Sequence, residues 1–136
     1  MLKQVSIYAE NKKGAFLEIT SLLIEYNVNI LGSVTNDSAE YGIIRMVVDQ
    51  PEIAVDKLKA AGYMCRVTLV LGVELDDHVG ALNQLLRSCL ESNINIDYIY
   101  LCYNRSTGMP IMVMHTEGVP EVESCLKSLG YTLLEA

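Results

Sequence analysis

Residues 10–16 read Glu-Asn-Lys-Lys-Gly-Ala-Phe, and residues 76–82 read Asp-Asp-His-Val-Gly-Ala-Leu. The same offset of 66 residues places 25–30, Glu-Tyr-Asn-Val-Asn-Ile, over 91–96, Glu-Ser-Asn-Ile-Asn-Ile. After a two-residue insertion the offset becomes 68, and Gly62-Tyr63 then lies over Gly130-Tyr131. A repeat that keeps its order along the whole chain indicates one structural unit duplicated in tandem. We therefore expect two domains, residues 1–70 and residues 71–136.

Each repeat has the hydrophobic pattern of a strand, a helix, two strands, a helix and a last strand. Alternation over 5–9 and over 71–75 predicts the first strand, and apolar residues recur at helical spacing over 82–89. Turn-forming residues over 36–38 and 104–108 separate the next two strands. Pro51 and Pro120 suit the first turn of a second helix, and Asp49 with Glu52 has the spacing of a capping pair.

This element order predicts an α+β fold. It consists of two tandem ferredoxin-like βαββαβ units forming an antiparallel sheet with helices on one face. The other face of the sheet would be bare, and a unit of about 66 residues buries little apolar surface. Pairing of units is therefore expected, and a homodimer is the simplest closed assembly.

Composition excludes several classes of partner. The net charge is −7 and Lys and Arg form no cluster, which argues against nucleic acid and anionic membranes. The chain opens directly into a strand pattern and has no apolar run of about 18 residues, so we expect a cytoplasmic protein. The four cysteines form no C-x-x-C pair and are expected to be buried thiols.

No motif for catalysis, a cofactor or a metal stands out. The sequence has no G-x-G-x-x-G, P-loop or nucleophile elbow, so we expect no cofactor and no enzyme activity. Asp76-Asp77-His78 lacks the other half of a metal site, and His115 has no obvious partner in sequence, so we expect no metal.

A strand followed by residues 10–16, a helix and then Asn27-Val28-Asn29-Ile30 resembles the ACT domain. The second copy, 77–82 with 93–96, is similar to the D-x-x-G-x-L pattern common in that family. The resemblance covers nearly the whole chain as two consecutive units. It implies a regulatory domain that binds an amino acid, with the ligand at the seam between paired units and a metabolic enzyme as a possible partner.

The resemblance also implies which residues bind the ligand. The loop before the first helix and the Asn-Ile segment supply them: Asn11, Gly14, Ala15, Asn29 and Ile30 in the first copy, and Asp77, Gly80, Ala81, Asn95 and Ile96 in the second. The chemistry suits an amino acid, because helix N-terminal amides bind a carboxylate and a carboxylate such as Asp77 binds an ammonium. Ala9 and Leu75 replace the polar residue of some members, which argues against a serine-like ligand.

Each of these residues also has a purely structural interpretation. Gly14 and Gly80 suit a tight turn between strand and helix, Asn11 and Asp77 suit a helix N-cap, and the Asn-Ile segments suit entry into a strand. Two functions therefore stay open. One is a regulatory small-ligand protein; the other is a structural subunit that dimerises and docks on a metabolic enzyme without binding a ligand.

Overall fold

The computed structural model describes residues 1–10, 12–37 and 41–135. Over these ranges the chain forms strands and helices in the order β1 Leu2–Glu10, α1 Ala15–Glu25, β2 Ile30–Asp37, β3 Tyr41–Val48, α2 Pro51–Ala60, β4 Met64–Glu74, α3 Ala81–Glu91, β5 Ile96–Tyr103, β6 Pro110–Thr116, α4 Val119–Ser128 and β7 Thr132–Leu133. The predicted βαββαβ order is therefore present twice, with β4 serving both repeats.

The chain divides into two compact units. Residues 3–68 form the first unit, and residues 69–136 with Met1 and Leu2 form the second. The division falls inside β4, between Thr68 and Leu69. The first part of β4 thus closes the first repeat, and its second part opens the second repeat.

The first unit is an antiparallel sheet in the order β2-β3-β1-β4. Alternate residues of β1 and β3, such as Val5, Ile7 and Met46, are buried together with residues of both helices. Helix α1 contributes Ile19 and Leu23 to this core, and α2 contributes Ala54 and Leu58. Both helices therefore cover the same face of the sheet, as the period-2 and helical patterns predict.

The second unit repeats this arrangement with the order β5-β6-β4-β7. Leu71 and Val73 of β4 occupy the positions of Val5 and Ile7, and they join a core with Met112 and Met114 of β6. Helices α3 and α4 complete it through Leu85, Cys89, Val122 and Leu126. The predicted fold class is confirmed in both repeats.

The sheet face away from α3 and α4 differs from the expectation. Ile111 and Val113 alternate with the core methionines and so point to that face, yet both are buried. Leu2 covers part of the same face, because a Cβ placed on Gly72 would lie 2.5 Å from the Leu2 Cδ1 atom. The face is not bare, so it supplies no argument for a homodimer.

The predicted capping pair at α2 is wrong. The N-cap residue of α2 is Gln50, without a side-chain capping hydrogen bond. Asp49 instead accepts a hydrogen bond from the Asn29 amide at 2.9 Å, and Glu52 pairs with Lys3 at 2.5 Å. The spacing was right for a cap, but both carboxylates have partners on other elements.

Cys65, Cys89 and Cys102 are buried, and burial raises the pKa of each thiol. Cys125 is half-buried. A raised pKa keeps a thiol protonated and unreactive at neutral pH. These residues therefore pack as small apolar side chains, as their sequence context predicts.

Candidate functional site

The first unit contains a cavity of about 550 Å³ at the head of α1. The end of β1, the loop into α1, the first turn of α1 and the turn between α2 and β4 enclose it. Its lining residues are Tyr8, Ala9, Glu10, Lys12, Ala15, Glu18, Ala61, Gly62, Tyr63 and Met64. A volume of this size is typical of small-molecule sites, which span about 300–1,000 Å³.

The second unit contains a cavity of about 350 Å³ at the equivalent place, at the head of α3. Its lining residues are Glu74, Leu75, Asp76, His78, Ala81, Gln84, Ser88, Leu129, Gly130, Tyr131 and Thr132. The offsets of 66 and 68 place all ten lining positions of the first cavity on lining positions of the second. Duplication has therefore preserved a pocket as well as a fold.

The loop into the helix has the same geometry in both pockets. The Lys12 amide donates to the Glu10 carbonyl at 2.9 Å, and the His78 amide donates to the Asp76 carbonyl at 3.0 Å. Gly14 and Gly80 follow, with φ of 84° and 93°. A Cβ at either glycine would lie more than 4 Å from the surrounding atoms of the residues that the structure describes. The left-handed conformation, rather than crowding, therefore explains glycine at these two positions.

The N-cap interpretation of Asp77 is excluded. The N-cap residues are Gly14 for α1 and Gly80 for α3, and neither helix has a side-chain capping hydrogen bond. Asp77 is exposed and does not line the pocket, whereas its neighbours Asp76 and His78 do. Asn11, the equivalent prediction in the first copy, lies outside the described residues.

The Asn-Ile segments lie at the other end of the first helix of each unit. Asn29 follows α1, and an 11-residue helix is about 17 Å long. Asn29 and Asn95 are exposed, while Ile30 and Ile96 are partly buried against the core of their own unit. Within a unit, these residues and Gly14 or Gly80 are therefore too far apart to bind one amino acid. Of the predicted residues that the structure describes, Ala15 and Ala81 line the pockets.

Tyr63 and Glu18 form a polar pair in the first pocket. Burial, followed by a hydrogen bond to the Glu18 carboxylate, raises the pKa of Tyr63 to about 12. The phenol is therefore neutral at physiological pH and donates to Glu18. The pair fixes an acceptor at the pocket wall, where an ammonium group could bind.

Tyr131 takes the place of Tyr63 in the second pocket, with different partners. Its hydroxyl lies 2.8 Å from the Ser88 Oγ atom and donates to the Gln84 carbonyl at 3.4 Å. Gln84 replaces Glu18, so this wall carries no charge. Neither pocket tyrosine was among the residues predicted from the sequence to bind the ligand. The signal was present, because Gly62-Tyr63 and Gly130-Tyr131 are identical in the repeat.

Glu74 replaces Tyr8 and brings a fixed carboxylate to the second pocket. Its Oε1 atom accepts hydrogen bonds from Asn104 Nδ2 and Thr107 Oγ1, both at 2.9 Å. Both donors belong to the β5–β6 loop, whose turn the Asn104 side chain stabilises by accepting from the Ser106 amide at 2.9 Å. Among the described residues, these two hydrogen bonds occupy the Oε1 atom of Glu74, and its Oε2 atom is left to accept from a ligand.

His115 lies outside both pockets and has a partner that sequence reasoning missed. Its Nδ1 atom lies 2.7 Å from Asp97 Oδ2, and its ring stacks on Tyr98 with centroids 5.3 Å apart. The pairing of β5 with β6 brings these residues together across strands.

Among the described residues, no group of three His, Cys, Asp or Glu side chains could hold a metal ion. None of the helices formed by those residues is both long and apolar enough to cross a membrane.

The fold and the duplicated pocket define a class: tandem βαββαβ proteins with an equivalent cavity in each unit. A model of the ACT domain pair matches residues 1–129, and the chain belongs to this family. ACT domains are regulatory modules that bind small ligands, so family membership gives this chain a regulatory role. No functionally curated protein matches the sequence significantly.

Solved structures share this architecture. Protein BT0572 from Bacteroides thetaiotaomicron is 28% identical, with 98% of this chain and 91% of that chain covered and a TM-score of 0.89. The ligand-free regulatory subunit of aspartate kinase from Thermus thermophilus is 11% identical, with 94% and 90% covered and a TM-score of 0.69. Its counterpart from Thermus flavus is 13% identical, with the same coverage and a TM-score of 0.64.

Proposed function

We propose that this chain is a regulatory protein that binds a small ligand in the pockets at the heads of α1 and α3, and that the ligand of at least one of them is an amino acid. The observation that carries the proposal is the retention of the same pocket in both repeats, position by position. A cavity that served only as a packing defect would have no reason to persist twice. The seam location and the roles of Asn29, Ile30, Asn95 and Ile96 stay predictions from the family resemblance.

The pocket chemistry suits an amino acid. The first intrahelical hydrogen bond of α1 runs from the Glu18 amide to the Gly14 carbonyl at 3.0 Å, so the amides of Phe16 and Leu17 precede it. Such N-terminal amides carry partial positive charge and bind carboxylates. The Glu18 carboxylate, held by Tyr63, is a suitable acceptor for the ammonium.

A metabolic enzyme is the partner class that we propose. Two proteins of the same fold are regulatory subunits of aspartate kinase. At 11–13% identity, what they share with this chain is the fold. The shared fold supports an ACT pair as the architecture of an enzyme's regulatory subunit.

The proposal is tested by titrating the protein with each of the twenty amino acids and measuring binding by calorimetry and by amide chemical shifts. At least one amino acid should bind, and Ala15→Leu or Ala81→Leu should weaken it about tenfold or more by filling the pocket. Ala60→Leu is the matched control, because Ala60 is exposed near the end of α2 and lines neither pocket. Folded protein that binds none of the twenty would refute the proposal.

A second candidate function, a docking subunit without ligand, is favoured by an apolar stripe on the first helix of each unit. Phe16 and Ile24 are exposed on α1, and their equivalents Leu82 and Leu90 are exposed on α3. The hydroxyls of Thr20 and Ser21 on α1 hydrogen-bond to the Leu17 carbonyl, which leaves little polar surface between the apolar residues. Exposed apolar patches of this kind mark interaction surfaces.

A second copy of the chain is the occupant that we propose for these stripes, because the same pattern is presented twice on each molecule. Sedimentation should then show a homodimer that Ile24→Lys or Leu90→Lys weakens. Ser124→Lys places the same charge on an exposed position of α4 and should have no effect. A chain that sediments as a monomer at all concentrations would exclude this role for the stripes.

A further inference from the structure

The two pockets have diverged in charge. The offset of 66 pairs Lys12 with His78 and Glu18 with Gln84. Of the groups lining the first pocket, Lys12 is cationic and Glu10 and Glu18 are anionic. The second pocket keeps two carboxylates, Glu74 and Asp76, while no Lys or Arg is found among the described residues that line it.

We infer that the two pockets bind ligands of different charge: a zwitterion with adjacent ammonium and carboxylate groups in the first, and a cationic amine without a carboxylate in the second. This inference rests on the proposed function, and it names the ligand class of each pocket. The inference requires a positively charged group that binds the ligand's carboxylate in the first pocket. In the second pocket it requires only groups that accept hydrogen bonds from an ammonium.

Lys12 supplies the group for the carboxylate. The Lys12 ammonium forms no ion pair with any residue that the structure describes. Lys12 lies in the loop that leads into α1 and lines the pocket. The helix N-terminus adds partial positive charge in the same region. Glu18 lies one turn further along the helix and accepts a hydrogen bond from Tyr63. A positive and a negative group therefore line one cavity, as a zwitterion requires.

The second pocket offers acceptors in the corresponding places. The Nδ1 atom of His78 lies 3.1 Å from the Val79 carbonyl, which can only accept, so Nδ1 is the donor. The other ring nitrogen is then an acceptor when the ring is neutral. Glu74 presents its free oxygen, and Asp76 adds a second carboxylate. A primary ammonium is matched by all three groups, whereas a carboxylate would meet two like charges.

Paired probes separate the two pockets. Glycine, alanine, leucine and phenylalanine are each compared with their amides, which have the same side chain and ammonium but no carboxylate. The amide resonances of Gly14 and Gly80 report on the first and second pocket separately. The free amino acids should bind more tightly at Gly14, and the amides should bind more tightly at Gly80.

Reciprocal exchanges test the cause. Lys12→His with Glu18→Gln gives the first pocket the second pocket's residues, and His78→Lys with Gln84→Glu does the reverse. Each exchanged charge should shift the preference about fivefold, the effect of a partly exposed ion pair. Lys13→His and Glu25→Gln are the matched controls, because neither residue lines a pocket and both are exposed.

The outcomes distinguish this inference from the proposed function. The same preference in both pockets, or preferences that the exchanges leave unchanged, would overturn the inference while amino-acid binding stands. Shifts that avoid Gly14 and Gly80 would overturn the inference and place the ligand elsewhere. If no amino acid and no other probe shifts any amide resonance, both the inference and the proposed function are refuted.

Discussion

Thr116 buries a hydroxyl without a hydrogen-bond partner in the part of the chain that the structure describes. The residue is 1% exposed and its Oγ1 atom is fully inaccessible. It ends β6 opposite Ile96, on the face that carries Met112 and Met114. The equivalent residue in the first unit is Val48, which is 5% exposed and part of the core. Thr116→Val therefore gives the second unit the residue that the first already has.

The expected gain follows from desolvation. A buried polar group left without a partner costs about 1–3 kcal/mol, and valine has the shape of threonine without the polar atom. We expect Thr116→Val to raise the free energy of unfolding by about 1 kcal/mol at the lower end of this range. The melting temperature should then rise by about 3–4 °C if the whole chain unfolds together, or about 7 °C if the second unit unfolds alone.

Urea denaturation followed by circular dichroism measures this change, with two control variants. Thr116→Ser keeps the hydroxyl and removes a buried methyl group, so it should destabilise by about 1 kcal/mol. Val48→Thr introduces the unpartnered hydroxyl into the first unit and should cost about 1–3 kcal/mol. A loss of stability in Thr116→Val would refute the reasoning, because it would mean that the hydroxyl contributes a favourable interaction.

Three further predictions concern other positions. Gly72→Val should destabilise by about 1–3 kcal/mol, because its side chain would overlap Leu2, and Leu2→Ala in the same chain should recover part of the loss in urea titrations. Gly80→Ala should cost about 1–2 kcal/mol because of the positive φ, and Gly80→Asn should cost less; equal losses would contradict the backbone explanation. The contribution of Tyr63 to stability should be complete below pH 10 and lost as the pH rises from about 10 to about 12, since its pKa is raised on folding. Ultraviolet titration of the Glu18→Gln variant should show one tyrosine midpoint lower than in the parent protein, because the hydrogen bond that raises the Tyr63 pKa is weakened.

Periodicity and repetition predicted most of the fold. The element order, both helices on one face and the start of α2 at Pro51 are local consequences of apolar spacing and turn chemistry, which a sequence displays directly. The prediction of a capping pair at Asp49 was wrong because a short spacing in sequence does not exclude a partner from another element. The covered outer face was missed for the same reason, since tertiary contacts decide what buries Ile111.

The pockets were predicted in part. Ala15 and Ala81 were identified through the loop motif that immediately precedes each helix. Tyr63 and Glu18 are 45 positions apart in the sequence, and only the packing of the α2–β4 turn against α1 unites them. Glu74 acquires its role from Asn104 and Thr107, which belong to a distant hairpin loop. Long-range proximity of this kind leaves no periodic trace in one sequence.

Strand β4 belongs to both repeats, so a change in its register affects the packing of both hydrophobic cores. Its early residues, such as Cys65, face the core of the first unit, and its later residues Leu71 and Val73 face the core of the second. A slip of one residue along the whole strand would turn the buried side chains of both halves outward at once. An insertion or deletion between residues 64 and 74 should therefore disrupt the cores of both units.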